Sequence, residues 1–167
     1  MSAGTPPHVT IRHDLRPGDL GRVIELHAVV YATEFGFDHT FEAYVAETIG
    51  QFGRRLQTGL DRLWLAELDG RLVGSIAIAR REGGEAQLRW FLLHPDARGH
   101  GLGRRLVEDA VTFCRDASYR SIFLWTVHPL TVAARLYASV GFHRVEARPP
   151  APLWGTVLSE ERYDLTL

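Results

Sequence analysis

The feature of this sequence that most constrains its fold is a glycine-rich turn at residues 98–103. It follows an alternating run that predicts a strand ending at Leu93, and it precedes an amphipathic pattern that predicts a helix. Glycines let a backbone approach a ligand closely, and the free N–H groups at the start of a helix attract anions. The turn therefore predicts a strand–turn–helix unit that binds a phosphate-bearing ligand. A tight turn that binds no ligand is the alternative.

The periodicity on both sides of the turn predicts a mixed α/β domain with the element order β-α-α-β-β-β-α-β-α-β-β. Strands are expected at residues 8–13, 62–68, 73–80, 85–93, 122–125, 142–147 and 161–167, and helices at about 19–34, 40–57, 101–117 and 132–139. Asp19 and Thr40 are the expected N-caps of the first two helices. A proline-rich connection at residues 148–152 is expected to join the last two strands. The strand–helix alternation in the second half indicates a parallel crossover.

Length and composition fit one domain of 167 residues, in which residues 1–7 form a disordered tail. That tail has no basic and no apolar region, so we do not expect it to act as a signal peptide. A formal net charge of −1 argues against nucleic acid and anionic membranes as partners, and no apolar run reaches the roughly 20 residues of a membrane span. The single cysteine, Cys114, excludes an internal disulfide and suits a cytoplasmic location.

Two common nucleotide-binding motifs are absent from the glycine-rich turn. It lacks the Lys-Ser/Thr ending of a Walker P-loop, and Arg104 stands where a dinucleotide fingerprint has its third glycine. A nucleotide-binding domain is therefore only a minor alternative. The eight histidines and the one cysteine show none of the spacings of metal sites, so we predict no metal.

Two motifs resemble the signatures of GNAT-type N-acetyltransferases, a family that uses acetyl-CoA. The first joins the end of a strand to the turn, as Leu93-His94-Pro95 followed by Arg98-x-x-Gly101-x-Gly103. The second is a helix at residues 135–142 that ends in Tyr-x-x-x-Gly-Phe. Within the family, the chain is most similar to acetyltransferase domains fused behind MarR-type regulators, through residues 31–38, 88–89 and 124–126. No DNA-binding half accompanies these residues, so we infer no regulatory role.

The resemblance implies the GNAT fold, in which helices flank a mixed central sheet whose strands splay at the acetyl-CoA site. It also implies that the backbone amides of the turn hold the pyrophosphate. An exposed N–H near Leu92 and Leu93 would then polarise the thioester carbonyl. The residues expected to bind acetyl-CoA, the acetyl-donor substrate, are Leu92, Leu93, His94, Arg98, Gly99, His100, Gly101, Leu102, Gly103, Arg104 and Tyr137.

The same resemblance suggests catalytic residues. Tyr137 occupies the tyrosine of the second motif and is the expected proton donor to the departing CoA sulfur; an aromatic ring that only packs under the pantetheine arm is the alternative. The base is expected to be Glu34 or Asp38, acting directly or through water, with His128 as a proton relay. Solvated acids and a structural histidine are the alternatives. Cys114 fits a core position, so we expect direct transfer without an acyl-enzyme.

Five acids and no lysine or arginine lie between Arg22 and Arg54 on the first two predicted helices. These acids are Glu25, Glu34, Asp38, Glu42 and Glu47. Because these helices usually border the acceptor site in the family, they predict an acidic wall that attracts a cationic amine. Leu130 replaces an asparagine that many relatives carry seven residues before the tyrosine.

The sequence therefore predicts an N-acetyltransferase that moves an acetyl group from acetyl-CoA to a primary amine, on a cationic small molecule or a peptide. A GNAT-fold module that binds acyl-CoA as a sensor or scaffold, without turnover, is the alternative from another class. The expected partners are acetyl-CoA or CoA and the amine. Homodimers are common in such folds, but the sequence does not choose between a monomer and a homodimer.

Overall fold

The computed structural model describes residues 8–167, which form a seven-stranded mixed sheet with helices on both faces. This confirms the predicted α/β class and the order of the first ten elements. The predicted tail at residues 1–7 lies outside the described residues. No helix within residues 8–167 combines the length and the apolar character that crossing a membrane requires.

The main sheet is built from two consecutive parts of the chain, β1 to β4 and then β5, β6 and β9. The strands are β1 Val9–Arg12, β2 Arg62–Leu68, β3 Arg71–Arg80, β4 Glu85–Leu93, β5 Ser121–Val127, β6 His143–Ala147, β7 Ala151–Leu153, β8 Thr156–Leu158 and β9 Glu160–Thr166. The helices are α1 Asp19–Phe35, α2 His39–Arg55, α3 Leu102–Asp116 and α4 Thr131–Val140. Short 3₁₀ turns span Glu82–Gly84 and Pro95–Ala97.

The main sheet has the strand order β1-β2-β3-β4-β5-β9-β6. Strands β1 to β4 pair in an antiparallel meander, and β5, β9 and β6 form a second antiparallel group. The two groups meet where β4 pairs with β5 in parallel. This junction is the parallel crossover that the strand–helix alternation predicted, with α3 as the connecting helix.

Alternating side chains of the central strands face two separate cores. Ile76 and Ile78 pack in the core that contains α3, whereas Ala77 and Ala79 pack in the core that contains α1 and α2. All four are at most 5% exposed, so β3 is buried on both faces. Burial of each isoleucine side chain contributes roughly 1.5–3 kcal/mol, and together such residues fix the register of the sheet.

A β-bulge in β4 marks the point where the sheet opens. Trp90 has a φ of 46°, and the pairing of β3 with β4 shifts register opposite residues 75–77. The buried Ser75 hydroxyl donates to the Trp90 carbonyl at 2.6 Å and holds the bulge. Strands β4 and β5 pair only over Glu85–Gln87 and Ser121–Phe123, although both continue for several residues. The two strands therefore splay apart after Gln87 and Phe123, in the part of β4 that contains the bulge, as the resemblance implied.

Both predicted helix caps are wrong. Gly18 occupies the N-cap of α1, and Asp19 is the first helical residue, where its carboxylate binds the guanidinium of Arg12 at 2.7 Å. Asp38 rather than Thr40 caps α2, because the Asp38 carboxylate accepts the backbone N–H of Thr40 at 2.9 Å. Asp19 and Asp38 both stand at the start of a helical pattern in the sequence. Their contacts in the structure distinguish Asp19, which forms an ion pair, from Asp38, which caps its helix.

The prediction for residues 148–152 missed a small hairpin. Strands β7 and β8 pair around a turn at Trp154 and Gly155, whose φ values are 52° and 83°. Two positive φ values in sequence are typical of a type I′ turn. The backbone N–H of Asp38 donates to the Trp154 carbonyl at 2.9 Å, which fixes the hairpin against the connection between α1 and α2. The hairpin thereby covers the opening between the splayed strands.

Candidate active site

The gap between β4 and β5 forms a cavity of about 130 Å³. Residues 87–91 of β4 and 124–127 of β5 line two of its walls. Helices α1 and α2 supply a third wall, and Tyr137 of α4 and Trp154 of the hairpin complete it. The cavity therefore lies where the bulge and the splay open the sheet.

The glycine-rich turn leads from the end of β4 into α3. Gly99 and Gly101 have φ values of 85° and 76°, which lie in the left-handed region that favours glycine. Gly101 caps α3 without any side-chain hydrogen bond, and the first helical bond runs from the Arg105 N–H to the Gly101 carbonyl at 3.1 Å. The preceding amides of the first helical turn lack helical partners, which is the arrangement that binds phosphate groups.

Gly103 allows α3 to lie close to β4 and α4. A Cβ atom at this position would stand 3.2 Å from Leu93 Cδ1 and 3.3 Å from Leu136 Cδ2. Both neighbours are branched side chains packed against the core, so they have little space into which they could move. The third glycine of the motif therefore serves packing, and the two before it serve the conformation of the turn.

The backbone of β4 is free on the edge that faces the gap. The His94 N–H donates to the Val73 carbonyl of β3 at 2.7 Å, and Leu92 is paired with Ser75 of the same strand. Because successive residues of a strand alternate in direction, the amide and carbonyl of Leu93 face the gap. The Leu93 carbonyl accordingly accepts from the Arg98 guanidinium at 2.9 Å. Of the two predicted thioester donors, the alternation therefore places Leu93 on the open edge and Leu92 toward β3.

The remaining predicted cofactor residues differ in where their side chains go. Arg98 is half-exposed at the turn, whereas the Arg104 guanidinium binds Glu108 at 3.0 Å and Ser139 at 2.9 Å along α3 and α4. The imidazole of His94 accepts the Asp96 N–H at 3.1 Å and caps the 3₁₀ turn. His100 is exposed. The Arg98 guanidinium binds the Glu34 carboxylate at 2.7 Å as well as the Leu93 carbonyl, so the backbone amides at the start of α3 are the donors that a phosphate group could use.

Tyr137 lines the cavity and is 5% exposed. Its ring packs 5.8 Å from Phe91 and 5.9 Å from Phe142, centre to centre. The helix that carries it ends at Gly141, where the Phe142 N–H donates to the Tyr137 carbonyl at 3.0 Å. Burial, assisted by the neighbouring Tyr31, raises the pKa of Tyr137 well above that of a free phenol. The hydroxyl therefore carries its proton at neutral pH.

Glu34 and Asp38, two of the predicted bases, do not line the cavity. The Glu34 carboxylate binds the Arg98 guanidinium at 2.7 Å and so joins the end of α1 to the glycine-rich turn. Asp38 caps α2, and its hydrogen bonds from the side chain and backbone of Thr40 lower the pKa of its carboxyl group. Their catalytic roles stay predictions.

His128 also lies outside the cavity lining, and its Nδ1 accepts the Ser159 N–H at 3.0 Å. The other acids predicted for the wall, Glu25, Glu42 and Glu47, are exposed. None of these acids lines the cavity, because helical register turns them to solvent and turns aromatic rings to the gap, so the acidic wall stays a prediction. The rings come from Tyr31, Phe37, Phe41 and Tyr44.

His27 and Arg89 are polar residues of the cavity that were not predicted as site residues from the sequence. His27 is 3% exposed; its Nδ1–H donates to the Val23 carbonyl at 2.8 Å, and its Nε2 has no hydrogen-bond partner among the described residues. Burial lowers the pKa of His27 to about 4, so its ring is neutral at pH 7. A histidine within the apolar stripe of α1 was the sequence signal that could have drawn attention to it.

Within residues 8–167, no three His, Cys, Asp or Glu side chains are grouped so as to hold a metal ion. Cys114 lies on the buried face of α3, and burial raises the pKa of its thiol to about 12. A thiol in this state is a poor nucleophile.

A splayed sheet with a glycine-rich anion site beside the gap defines an acyl-CoA-dependent transferase class. The chain matches the model of the Acetyltransferase (GNAT) family over residues 24–142. It therefore belongs to the GNAT family, and the described domain is an acetyltransferase domain.

Individual proteins support this membership. The chain is 34% identical to mycothiol acetyltransferase of Cellulomonas flavigena over 111 residues, which are 56% of this chain but only about a third, 32%, of that protein. It is 28% identical to an uncharacterized N-acetyltransferase of Schizosaccharomyces pombe, over 84% of this chain and 86% of that protein. The yncA structure from Salmonella typhimurium, solved with its cofactor acetyl-CoA, has the same fold, with a TM-score of 0.75, 18% identity, and coverage of 96% and 94% of the two chains.

Proposed function

We propose that this protein is an N-acetyltransferase that moves an acetyl group directly from acetyl-CoA to a primary amine. The observation that carries the proposal is that the glycine-rich turn adjoins the cavity that Phe91 of β4 and Tyr137 line, since a Cβ atom at Gly103 would stand 3.4 Å from Phe91 Cζ and 3.2 Å from Leu93 Cδ1. A phosphate-binding turn alone would serve many ligands. The buried phenol in the adjoining gap supplies the proton that thioester cleavage needs.

In the proposed reaction, the backbone amides at the start of α3 and the Arg98 guanidinium hold the pyrophosphate of acetyl-CoA. The Leu93 N–H donates a hydrogen bond to the thioester oxygen and stabilises the negative charge that develops there. The amine nitrogen forms a bond to the thioester carbon while the carbon–sulfur bond breaks. Tyr137 donates its proton to the departing sulfur, and this protonation favours release of CoA as a thiol.

The amine must lose a proton, because an amine with a pKa near 10.4 is neutral in only about one molecule in 2,500 at pH 7. Glu34, Asp38 and His128 remain our candidates for the acceptor of that proton, through a chain of water molecules. The ion pair of Glu34 with Arg98 supports Glu34 among them, since it lies beside the cofactor turn. A pH profile of kcat/KM for Glu34→Gln, Asp38→Asn and His128→Asn, taken one at a time, would identify the base by the loss of the lower pKa.

Three further predictions rest on the sequence alone. They are the special similarity to domains fused to MarR-type regulators, a cytoplasmic location, and a possible homodimer. Size-exclusion chromatography with light scattering would distinguish the homodimer from a monomer. The non-catalytic acyl-CoA sensor stays the alternative function.

The test is release of free CoA thiol from acetyl-CoA in the presence of polyamines, aminoglycosides, amino acids, and peptides with a free N-terminus or lysine. We expect one amine class to stimulate release, and Tyr137→Phe to lower kcat by about 10²–10⁴-fold. Tyr163→Phe is the matched control, because that ring lies 6.3 Å from the Tyr137 ring but does not line the cavity. Acetyl-CoA binding without release for any amine would contradict the proposal and favour the sensor.

A further inference from the structure

Arg89 is the one arginine among the described residues that lines the cavity. It extends from β4 just before the bulge, with its guanidinium carbon 4.6 Å from the centre of the Trp90 ring and 5.9 Å from that of Tyr44. Its Nη2 donates to the Tyr44 hydroxyl at 2.8 Å. Arg12, Arg80 and Arg98 each bind a carboxylate, but no carboxylate among residues 8–167 lies within 4 Å of Arg89. The cavity thus contains a cation without a counter-ion.

The surroundings of Arg89 oppose its charge. Burial is the largest influence on its pKa, which it lowers, and the only opposing contribution comes from the Tyr44 hydroxyl. A guanidinium nevertheless stays charged at neutral pH and has five N–H donors, of which Tyr44 accepts one. Aromatic faces attract the cation but cannot accept its in-plane hydrogen bonds. The remaining donors therefore fit an anion that enters the cavity.

The contacts of the charged residues favour an occupant with a single negative charge. Glu160 is the one acid among the described residues that lines the cavity; its carboxylate lies 3.6 Å from the Arg148 guanidinium, which Glu146 also contacts at 3.5 Å, and it forms no ion pair with Arg89. Arg89 therefore offers one guanidinium without a carboxylate partner to an incoming anion. One planar guanidinium matches a carboxylate in a two-bond fork, whereas a phosphate with two charges would call for further cations.

The other walls indicate what accompanies the carboxylate. Aromatic rings of α1, α2 and the hairpin surround the space, and Trp154 packs 4.8 Å from Phe41 and 5.4 Å from Tyr44. A cavity of about 130 Å³ is close in size to the engineered cavity of about 150 Å³ that holds one benzene molecule.

We infer that the amine acceptor of this protein carries a carboxylate, which Arg89 binds, and a small apolar or aromatic group, which packs against the rings of α1, α2 and Trp154. This inference rests on the proposed function, because the same cavity must also receive the reacting amine. It replaces the predicted cationic acceptor with an amino acid or a compound of similar charge.

The first experiment measures binding without transfer. The CoA-bound protein is titrated calorimetrically with 3-phenylpropionate and with 3-phenylpropionamide, which share a ring but differ in charge and have no amine to acetylate. We expect the carboxylate to bind at least tenfold more tightly than the amide. Arg89→Gln is expected to remove this difference, and Arg89→Lys to keep part of it through the charge.

The matched control is Arg62→Gln. Arg62 also lies on a strand, stacks 4.5 Å from the Phe113 ring and lacks a carboxylate partner among the described residues, but it does not line this cavity. Its loss should leave the preference for the carboxylate unchanged. Thermal unfolding of each variant verifies its fold, and if Arg89→Gln does not fold, the charge-retaining Arg89→Lys and the wild-type comparison of the two ligands still decide the question.

The second experiment measures turnover with L-phenylalanine and L-phenylalaninamide. The amine of L-phenylalaninamide is less basic than that of L-phenylalanine, so a larger fraction of it is neutral at pH 7.5. A preference for L-phenylalanine therefore cannot come from amine basicity. We expect a higher kcat/KM for the acid, through KM, and its loss in Arg89→Gln. Binding of 3-phenylpropionate without turnover of any amine would contradict the proposed function and would leave only the carboxylate site at Arg89 supported. Equal use of acid and amide, or equal binding of the two amine-free ligands, would overturn it.

Discussion

The two ends of the proposed site, the glycine-rich turn (the cofactor end) and the cavity (the acceptor end), offer different groups to a ligand. At the cofactor end, the turn at residues 98–103 offers backbone amides, whose positions depend on the positive φ of Gly99 and Gly101. At the acceptor end, the contacts come from side chains of α1, α2, β4 and the β7–β8 hairpin. Backbone recognition leaves a short, local glycine signature in a sequence. Side-chain recognition is assembled from residues more than one hundred positions apart.

This difference predicts that a substitution at one end weakens binding of the ligand at that end and leaves binding of the other ligand nearly unchanged. The largest effect is expected for Gly103→Val. A Cβ there would already stand 3.2 Å from Leu93, and forcing extra atoms into packed surroundings costs about 1–3 kcal/mol. The Kd for acetyl-CoA is therefore expected to rise about 10–100-fold by calorimetry, because α3 must move from β4. Binding of 3-phenylpropionate should change less than threefold; an equal loss of both ligands would break the separation.

The buried His27 gives the acceptor end a pH-dependent stability. His27 has a pKa of about 4 in the folded protein, against about 6.5 when unfolded. As the pH falls below 6.5, the unfolded state takes up the proton first, so the free energy of unfolding decreases until about pH 4 and is unaffected above pH 6.5. The expected loss is about 2 kcal/mol between pH 7 and pH 5.

Urea unfolding at a series of pH values measures this loss. His27→Phe should flatten the dependence between pH 7 and pH 5, whereas the same change at the exposed His143 should not. A His27→Phe variant that keeps the slope of the wild type would show that His27 is not the responsible group.

The sequence determined the cofactor end far better than the acceptor end. At the cofactor end, β4 ends at the predicted Leu93, and the turn and α3 follow as expected, since each is specified by local periodicity and glycine position. The β7–β8 hairpin was missed because Pro149, Pro150 and Pro152 suggest a loop, and the hairpin depends on its contact with Asp38. The sequence did not show which faces of α1 and α2 turn toward the cavity, because this depends on how the helices pack on the sheet. In the structure, the predicted acids face outward.

A smaller effect is expected for Trp154→Ala, which tests whether the hairpin belongs to the acceptor end. Its ring packs on Phe37, Phe41 and Tyr44, and each aromatic pair is worth about 0.5–1.5 kcal/mol. The KM for the amine should therefore rise roughly 2–10-fold, while the KM for acetyl-CoA stays within twofold in steady-state assays. A rise in both values would place the hairpin in the cofactor site as well.

The smallest effect is expected for the exposed acids. Glu42→Gln and Glu47→Gln remove charges that do not line the cavity, and at 0.15 M salt exposed charges are screened over about 8 Å. The KM for the amine should change less than twofold at this salt concentration. A larger rise would restore the acidic wall and weaken the contrast between a charged surface and an aromatic cavity.

The most direct test of the central claim is a single turnover with acetyl-CoA labelled in its acetyl group, mixed with excess protein and with the amine that gives the most CoA release. We predict that the label passes to the amine, that none is retained on the denatured protein, and that Tyr137→Phe slows the transfer at unchanged acetyl-CoA binding. Label that stays on the protein, or a transfer rate that Tyr137→Phe leaves unchanged, would contradict direct transfer with Tyr137 as the proton donor.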